Sequence, residues 1–492
     1  MIVAAVPRLI RLSGESMMRL TQKKEEIIQY SDAMAPKRNA WIKRNRCYYN
    51  DLVKFLLYNI PENSSVLEIG CGTGYLLGNI KCRMAVGIDI SSGMIEQAKA
   101  DHPDVRFFCM DAENITLKET FDIIIISDTV GYFEDIQKAL EELHKISHAG
   151  TRIIITYQNF FWLPFFNIAE KVRLKMPSKR INWLNRDDIS NLLDVTGFDV
   201  IRKGSRFLFP KFVPVISWLC NRYLVHLPLF SRIAFVGYII ARPLPPTKVP
   251  HNAKTVSVII PARNEKGNIE NAIRRMPRMG KKTEVIFIEG HSSDETVDEI
   301  VRVAKKYKSS WDIRYAVQDG KGKGDAVRKG FDMAKGEYLM ILDADLTVPP
   351  EDLPKFFKAI ASGKGEYING TRLVYPMEKE AMRPLNLIGN RFFSVMFSWL
   401  LRQRIKDTLC GTKVISRDNW NRLVANRGYF GDFDPFGDFD LIFGSAKLNL
   451  KFVEIPIRYQ AREYGDTNIS RFRHGWLLLK MVVFAMNKIK FI

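Results

Sequence analysis

A chain of 492 residues, 46% hydrophobic and 26% charged, has the make-up of a globular protein large enough for two domains. Its formal charge of +20 favours anionic partners: phosphorylated substrates, an acidic membrane surface or nucleic acid. The six cysteines contain no CxxC pair, which excludes a disulfide framework and zinc-ligand spacing and fits a reducing cytosol.

In chain order, the opening run MIVAAVPRLIRLSGES is interrupted by Arg8 and Arg11 and lacks a signal-peptide core, so residues 1–39 read as an extension open to disorder. No stretch reaches the roughly 18–20 uninterrupted apolar residues of a spanning helix. The runs SVLEIG, AVGIDI, VRFFCM, FDIIIIS, TRIIITY, FDVIRKG and FVGYIIAR then predict strands alternating with helices, an α/β pattern. Between Pro210 and Arg232 an aromatic insertion carries Trp218, Tyr223 and Phe230; it reads either as extra core or as a lid or membrane-surface element. Four prolines in 243–254 predict a linker. A second alternation follows: VSVIIPA, TEVIFIEG, DIRYAVQD, YLMILDAD and EYINGTR.

In the first alternation, VLEIGCGTG at 66–74 follows a strand and precedes a helix. Gly70, Gly72 and Gly74 permit a tight turn and close backbone approach to a ligand. Asp89 ends the second strand, where a carboxylate can accept both ribose hydroxyls. Asp111 follows the third strand and is offered to an adenine amino group. The G-C-G-T-G spacing departs from the G-x-G-x-x-G of dinucleotide sites. With Glu68 before the loop, the set resembles class I S-adenosylmethionine-dependent methyltransferases over 40–242. The resemblance implies a seven-stranded Rossmann-like sheet ending in a hairpin. It also implies S-adenosyl-L-methionine bound by Glu68, Gly70, Gly72, Gly74, Asp89 and Asp111. A helix over 41–49 is expected to cover the cofactor, its Lys and Arg side chains forming a solvated face. Acceptor-side candidates are Ser127, Asp128, Tyr132 and His144, each of which also has a purely structural reading.

In the second alternation, PARNE, EGHSSDET and DAD all end strands, where open α/β sheets place ligands. Two carboxylates after a buried strand can hold Mg²⁺ or Mn²⁺ against the diphosphate of a nucleotide-sugar. The GKGKG loop at 320–324 reads as a phosphate cradle with Lys321 or Lys323, or as a glycine turn with solvated lysines. Together these motifs resemble family 2 glycosyltransferases of the GT-A fold, dolichyl-phosphate mannose synthase-like, over about 255–475. The resemblance implies an inverting transferase, with Pro261, Arg263, Glu265, Glu289, Asp294, Lys323 and Asp343 at the nucleotide-sugar. Asp343 and Asp345 would hold the metal, and Arg372 would reach phosphates. Glu289 and Gly290 stand where the family usually carries two adjacent aspartates.

The acceptor side has two forms. A lipid phosphate is already ionised and suits arginine, for which Arg462, Arg471 and Arg473 qualify. A sugar hydroxyl needs a carboxylate base, for which Asp438 or Asp440 qualifies. The apolar stretches 383–401 and 474–492 are either packed helices or interfacial ones. The expected organisation is an extension 1–39, a methyltransferase-like domain 40–242, a linker 243–254 and a glycosyltransferase domain 255–492. The expected protein is a bifunctional enzyme of glycolipid or cell-envelope glycan assembly, cytoplasmic and peripheral at the inner face of the membrane. Asp345, Asp440 and Arg372 are its candidate catalytic residues. The alternative is a glycosyltransferase whose N-terminal domain binds S-adenosylmethionine, or nothing, as a scaffold. With no recognised RNA-binding module, nucleic acid is disfavoured.

Overall fold

Four consecutive isoleucines, Ile123 to Ile126, are 0–3% exposed, as expected for a strand covered on both faces. They lie in β4 (Phe121–Ser127) of the first of two sheets in the computed structural model. The structure describes residues 21–177, 182, 184–209, 213–245, 253–372, 384–430, 439–460, 462, 464 and 471–491; within these, only the backbone is described at 160, 384–388 and 471–474. The chain divides into two units between Leu244 and Pro245.

In the first unit β1 (Ser65–Ile69), β2 (Met84–Asp89), β3 (Arg106–Cys109), β4 and β5 (Ser147–Gln158) are parallel. β6 (Phe198–Arg206) and β7 (Val236–Pro243) close the sheet antiparallel, in the order β3-β2-β1-β4-β5-β7-β6. This is the seven-stranded sheet the sequence implied. Strand order reverses between β1 and β4, the switch point at which such sheets bind ligands.

Ahead of β1 stand helices α1 (Gln22–Arg44) and α2 (Arg46–Asn59). The described part of the expected extension, 21–39, is therefore helical from Gln22 on. Thr21 caps it by accepting from the Lys24 N–H, and Ile27, Ile28, Ala35 and Ile42 are buried. In the 210–232 insertion, short helices Ile216–Arg222 and Pro228–Arg232 flank a small cluster of Leu208, Val225 and Ala234. Val215, Trp218 and Leu229 stay exposed, so the insertion only partly serves as core.

In the second unit β8 (Thr255–Ala262), β9 (Lys282–Glu289), β10 (Asp312–Val317) and β11 (Tyr338–Ile341) are parallel. β12 (Tyr367–Thr371), β13 (Lys413–Ser416) and β14 (Phe452–Pro456) complete the order β10-β9-β8-β11-β13-β12-β14, with β13 antiparallel to both neighbours. Helices Pro384–Leu401 and Arg471–Ala485 pack together and bury Phe397, Leu400, Leu478 and Met481. Among the described residues no helix is long and apolar enough to cross a membrane.

Candidate active sites

The glycine turn after β1 runs through left-handed backbone at Gly70 (φ 72°) and Gly72 (φ 53°). A Cβ on Gly70 would stand 2.2 Å from the Thr129 side chain, so glycine is obligatory for space as well as for φ. The Gly72 N–H donates to Asp89 Oδ2 at 2.9 Å, and the Ser91 N–H to Oδ1 at 3.0 Å. A carboxylate offers about four lone-pair directions, so Asp89 keeps acceptor capacity. Gly70, Gly72, Asp89 and Asp111 line one cavity of about 420 Å³ with Tyr48, Asp128 and Tyr132.

Two expected cofactor residues stand outside that wall. Gly74 (φ 76°) faces the Phe107 ring, 2.5 Å from where a Cβ would be, so it serves packing. Glu68 lies buried with Oε2 unpartnered and does not line the cavity. Burial, reinforced by Asp89, pushes its pKa up to about 8.

Lys24 was missed. Its Nζ lies 2.6 Å from Asp111 Oδ2 and 2.7 Å from Glu113 Oε2, with all three side chains buried. Burial opposes its charge, but the bonds to Asp111 and Glu113 prevail and raise its pKa. Asp111 Oδ1 also accepts from the Glu113 N–H at 2.9 Å. Of the acceptor-side candidates, Asp128 (φ 54°) accepts from the Tyr48 hydroxyl while its buried Oδ1 has no partner. Ser127 bonds Thr156 at 3.0 Å. His144 is structural: Nε2 meets the Thr196 carbonyl at 2.6 Å, and the ring stacks on Phe198.

In the second unit, the turns after β8, β9 and β11 each pass through left-handed backbone, at Asn264, His291 and Leu346. There Glu265 Oε2 accepts from Asn268 at 2.6 Å. Arg462 bridges Glu265 Oε1 (3.3 Å) and Asp345 Oδ2 (2.7 Å). Asp345 Oδ1 accepts from the Thr347 N–H and hydroxyl at 3.1 and 2.8 Å. Asp343 pairs with Lys323 at 2.6 Å, and a Cβ on Gly411 would overlap its carboxylate. Burial raises the Glu265 pKa, with Asp345 and Asp343 adding to the effect. For Asp343 burial acts upward, but Lys323, Lys413 and Arg372 hold the pKa below its ordinary value. Glu265, Asp343, Asp345, Lys323 and Arg462 thus come together.

Other expected residues are otherwise engaged. Glu289 accepts from the N–H groups of His291 and Ser292 at 3.1 and 2.6 Å, and Asp294 from that of Thr296 at 3.1 Å, so both tie down their own turn. Pro261 lies in β8 and Arg263 is exposed just beyond it. Arg372, expected on phosphates, gives Nε and Nη2 to Asp407 at 2.6 and 2.8 Å and stacks on Tyr459. Asp440, expected as a base, pairs with Arg427 at 2.5 Å. Asp438 lies outside the described residues, as do the side chains of Arg471 and Arg473.

No group of three or more His, Cys, Asp or Glu among the described residues is arranged for a metal ion. An ion delivered with a diphosphate needs only one or two protein carboxylates, and Asp343 and Asp345 supply hard oxygens of that kind. The donor set fits such an ion once Lys323 and Arg462 shift from the carboxylates.

Residues 41–203 match the family model for a methyltransferase domain, and residues 257–423 match that for glycosyl transferase family 2. The chain joins a methyltransferase domain to a family 2 glycosyltransferase domain. The glycosyltransferase domain is 28% identical over 225 residues to the low-salt glycan biosynthesis hexosyltransferase Agl6 of Haloferax volcanii, covering 46% of this chain and 52% of that protein. It is 36% identical over 241 residues to the dolichol-phosphate mannosyltransferase of Pyrococcus furiosus, covering 46% of this chain and 64% of that protein. The chain thus spans about half to two thirds of the length of these relatives. For the methyltransferase domain, a SAM-dependent methyltransferase of Thermotoga maritima aligns with 44% of this chain and 99% of its own at 19% identity and a TM-score of 0.36.

Proposed function

We propose that the glycosyltransferase domain moves a sugar from a nucleoside diphosphate donor to a lipid phosphate, and that the methyltransferase domain binds S-adenosylmethionine and methylates an acceptor of the same glycan pathway. The Arg462 bridge between Glu265 and Asp345, beside the Lys323–Asp343 pair, carries the first part. Two cations there face three acids, an arrangement that can trade its partners for a diphosphate and a divalent ion.

An acceptor phosphate oxygen would attack the anomeric carbon as the bond from that carbon to the diphosphate oxygen breaks, inverting the centre. The oxygen is already anionic, so no general base is needed. Lys323 and Arg462, freed from the carboxylates, would offset charge growing on the leaving diphosphate. A bound Mg²⁺ or Mn²⁺ would supply Lewis-acid stabilisation of the same oxygens.

A lipid acceptor calls for contact with a membrane surface. On helix Arg471–Ala485, Trp476, Leu479 and Val483 share an exposed face with Lys480 near the Trp476 ring. Phe392 and Val395 are exposed on the helix packed against it. An apolar face with a snorkelling lysine suits the interface of an anionic bilayer.

The test is thermal stabilisation by a panel of uridine and guanosine diphosphate-sugars, with and without Mn²⁺. One donor is expected to stabilise the protein only with metal, and Asp345→Ala to abolish that response. An unchanged response in Asp345→Ala would remove the site.

A further inference from the structure

The 420 Å³ cavity holds more than Asp89 and Asp111. Strands β4 and β5 run side by side with Ser127 opposite Thr156, and just beyond that pair Asp128 and Gln158 line the cavity. Asp128 Oδ2 accepts from the Tyr48 hydroxyl, which fixes the carboxylate. Among the described residues, Asp128 Oδ1 and Gln158 Oε1 are buried with no hydrogen-bond partner. Each buried acceptor left without a donor costs about 1–3 kcal/mol. Two of them, on neighbouring strand ends and lining one cavity, call for a ligand that brings two donors.

The surrounding wall is aromatic. The Tyr48 ring meets Phe207 and Phe235 edge-on, with centroids 5.4 and 5.7 Å away, and Phe235 meets Phe166 and Trp162 at 5.3 and 5.7 Å. All five rings line the cavity. Such a wall packs against the apolar or flat face of a ligand and excludes water from it.

Charge says which donors fit. Asp128 stands close enough to Arg38 for their charges to interact. A protonated amine would bring a second cation beside Arg38, and a carboxylate or phosphate would meet Asp128. A hydroxyl is neutral, donates, and leaves the balance intact. Position agrees. Thr129, next to Asp128, donates to the Gly70 carbonyl at 3.4 Å. With Asp89 at the ribose and Asp111 at the adenine, as the cofactor reading has them, the turn at Gly70 is left to the methionine half, which carries the methyl group.

We infer that the methyl acceptor is a hydroxyl compound with a ring-shaped or apolar body, that Asp128 is the catalytic base for it, and that Gln158 holds a second hydroxyl. The acceptor oxygen bonds to the methyl carbon as the carbon–sulfur bond breaks, leaving its electron pair on sulfur. The O–H proton passes to Asp128 Oδ1, and the product is a methyl ether. This rests on the cofactor reading proposed above, and the experiment separates the two.

The full chain is titrated calorimetrically with S-adenosylhomocysteine and with sinefungin, which carries an amine-bearing carbon in place of the methylated sulfur. Asp128→Asn is expected to weaken sinefungin by about tenfold, the scale of a lost charge-assisted bond. Affinity for S-adenosylhomocysteine should stay within about twofold, since a thioether donates nothing to a carboxylate; this also shows that the variant is folded. Gln158→Ala should leave both affinities unchanged. The chain is then given S-adenosylmethionine labelled in its methyl group and a lipid and small-molecule extract of the organism that makes it. Label should enter an alkali-stable, uncharged ether, and acid hydrolysis then tells a methylated sugar from a methylated phenol. Asp128→Asn should slow that labelling by on the order of 100-fold. The inference is overturned if Asp128→Asn binds sinefungin as wild type does, if the product is an ester or an amine, or if the cofactor binds and no product is labelled. If wild type binds neither S-adenosylhomocysteine nor sinefungin, the cofactor reading itself fails and takes the inference with it.

Discussion

At Glu68 a carboxyl group sits 2% exposed beneath the glycine turn, and its pKa of about 8 stands well above its ordinary 4.5. The sign of its effect on stability follows. Below pH 4.5 the acid is protonated folded or unfolded, and its contribution is fully present. As pH rises toward 8 the unfolded chain releases the proton while the folded chain keeps it, so stability is lost across that window. Urea unfolding of wild type should show this decline between pH 5 and 8, whereas Glu68→Gln should not. The variant should be the more stable at pH 8, by on the order of 2–4 kcal/mol at about 1.4 kcal/mol per pKa unit. Equal slopes for the two proteins would mean that Glu68 ionises normally.

Helix α1 depends on contacts far along the chain. Asp32 Oδ1 accepts from the Ser91 hydroxyl at 2.5 Å and the Gly93 N–H at 2.9 Å, at the start of helix Ser92–Asp101. A carboxylate there meets unpaired amides and the positive end of the helix. Asp32→Ala should cost about 1–2 kcal/mol and speed hydrogen exchange across 22–44 more than across β4, as read by mass spectrometry. The strands up to β12 were legible in the sequence because apolar runs such as FDIIIIS suit a sheet covered on both faces, whereas the short β13 and β14 were not read. The glycine turn and DAD were legible because strand ends fix where they point. The role of α1 was not. Its buried set includes Lys24, a residue type that reads as solvent-facing, and the partners that reverse this, Asp111 and Glu113, come after three strands. The pairing of Arg372 with Asp407 was hidden for the same reason, since Asp407 lies 35 positions away and no local pattern links the two.

On the scale of the whole chain, each unit closes its own core, so each ligand should stabilise its own half. At 100 times its dissociation constant a ligand adds about 2.7 kcal/mol to the unit that holds it. Calorimetric scans with S-adenosylhomocysteine alone, and with nucleotide-sugar plus Mn²⁺ alone, should therefore raise different transitions. A single transition moved equally by both would mean that the halves melt as one. The pairing of Lys323 with Asp343 and of Arg462 with Asp345 has one more consequence. The acidic rim carries counter-ions built into the covalent chain, so folding need not wait for a metal to quench its self-repulsion. Chelation should therefore leave the melting temperature within about 1 °C, well under the 2–4 °C per kcal/mol expected of units this size, while silencing donor recognition: the ion would work as a visiting reagent, not as a structural staple.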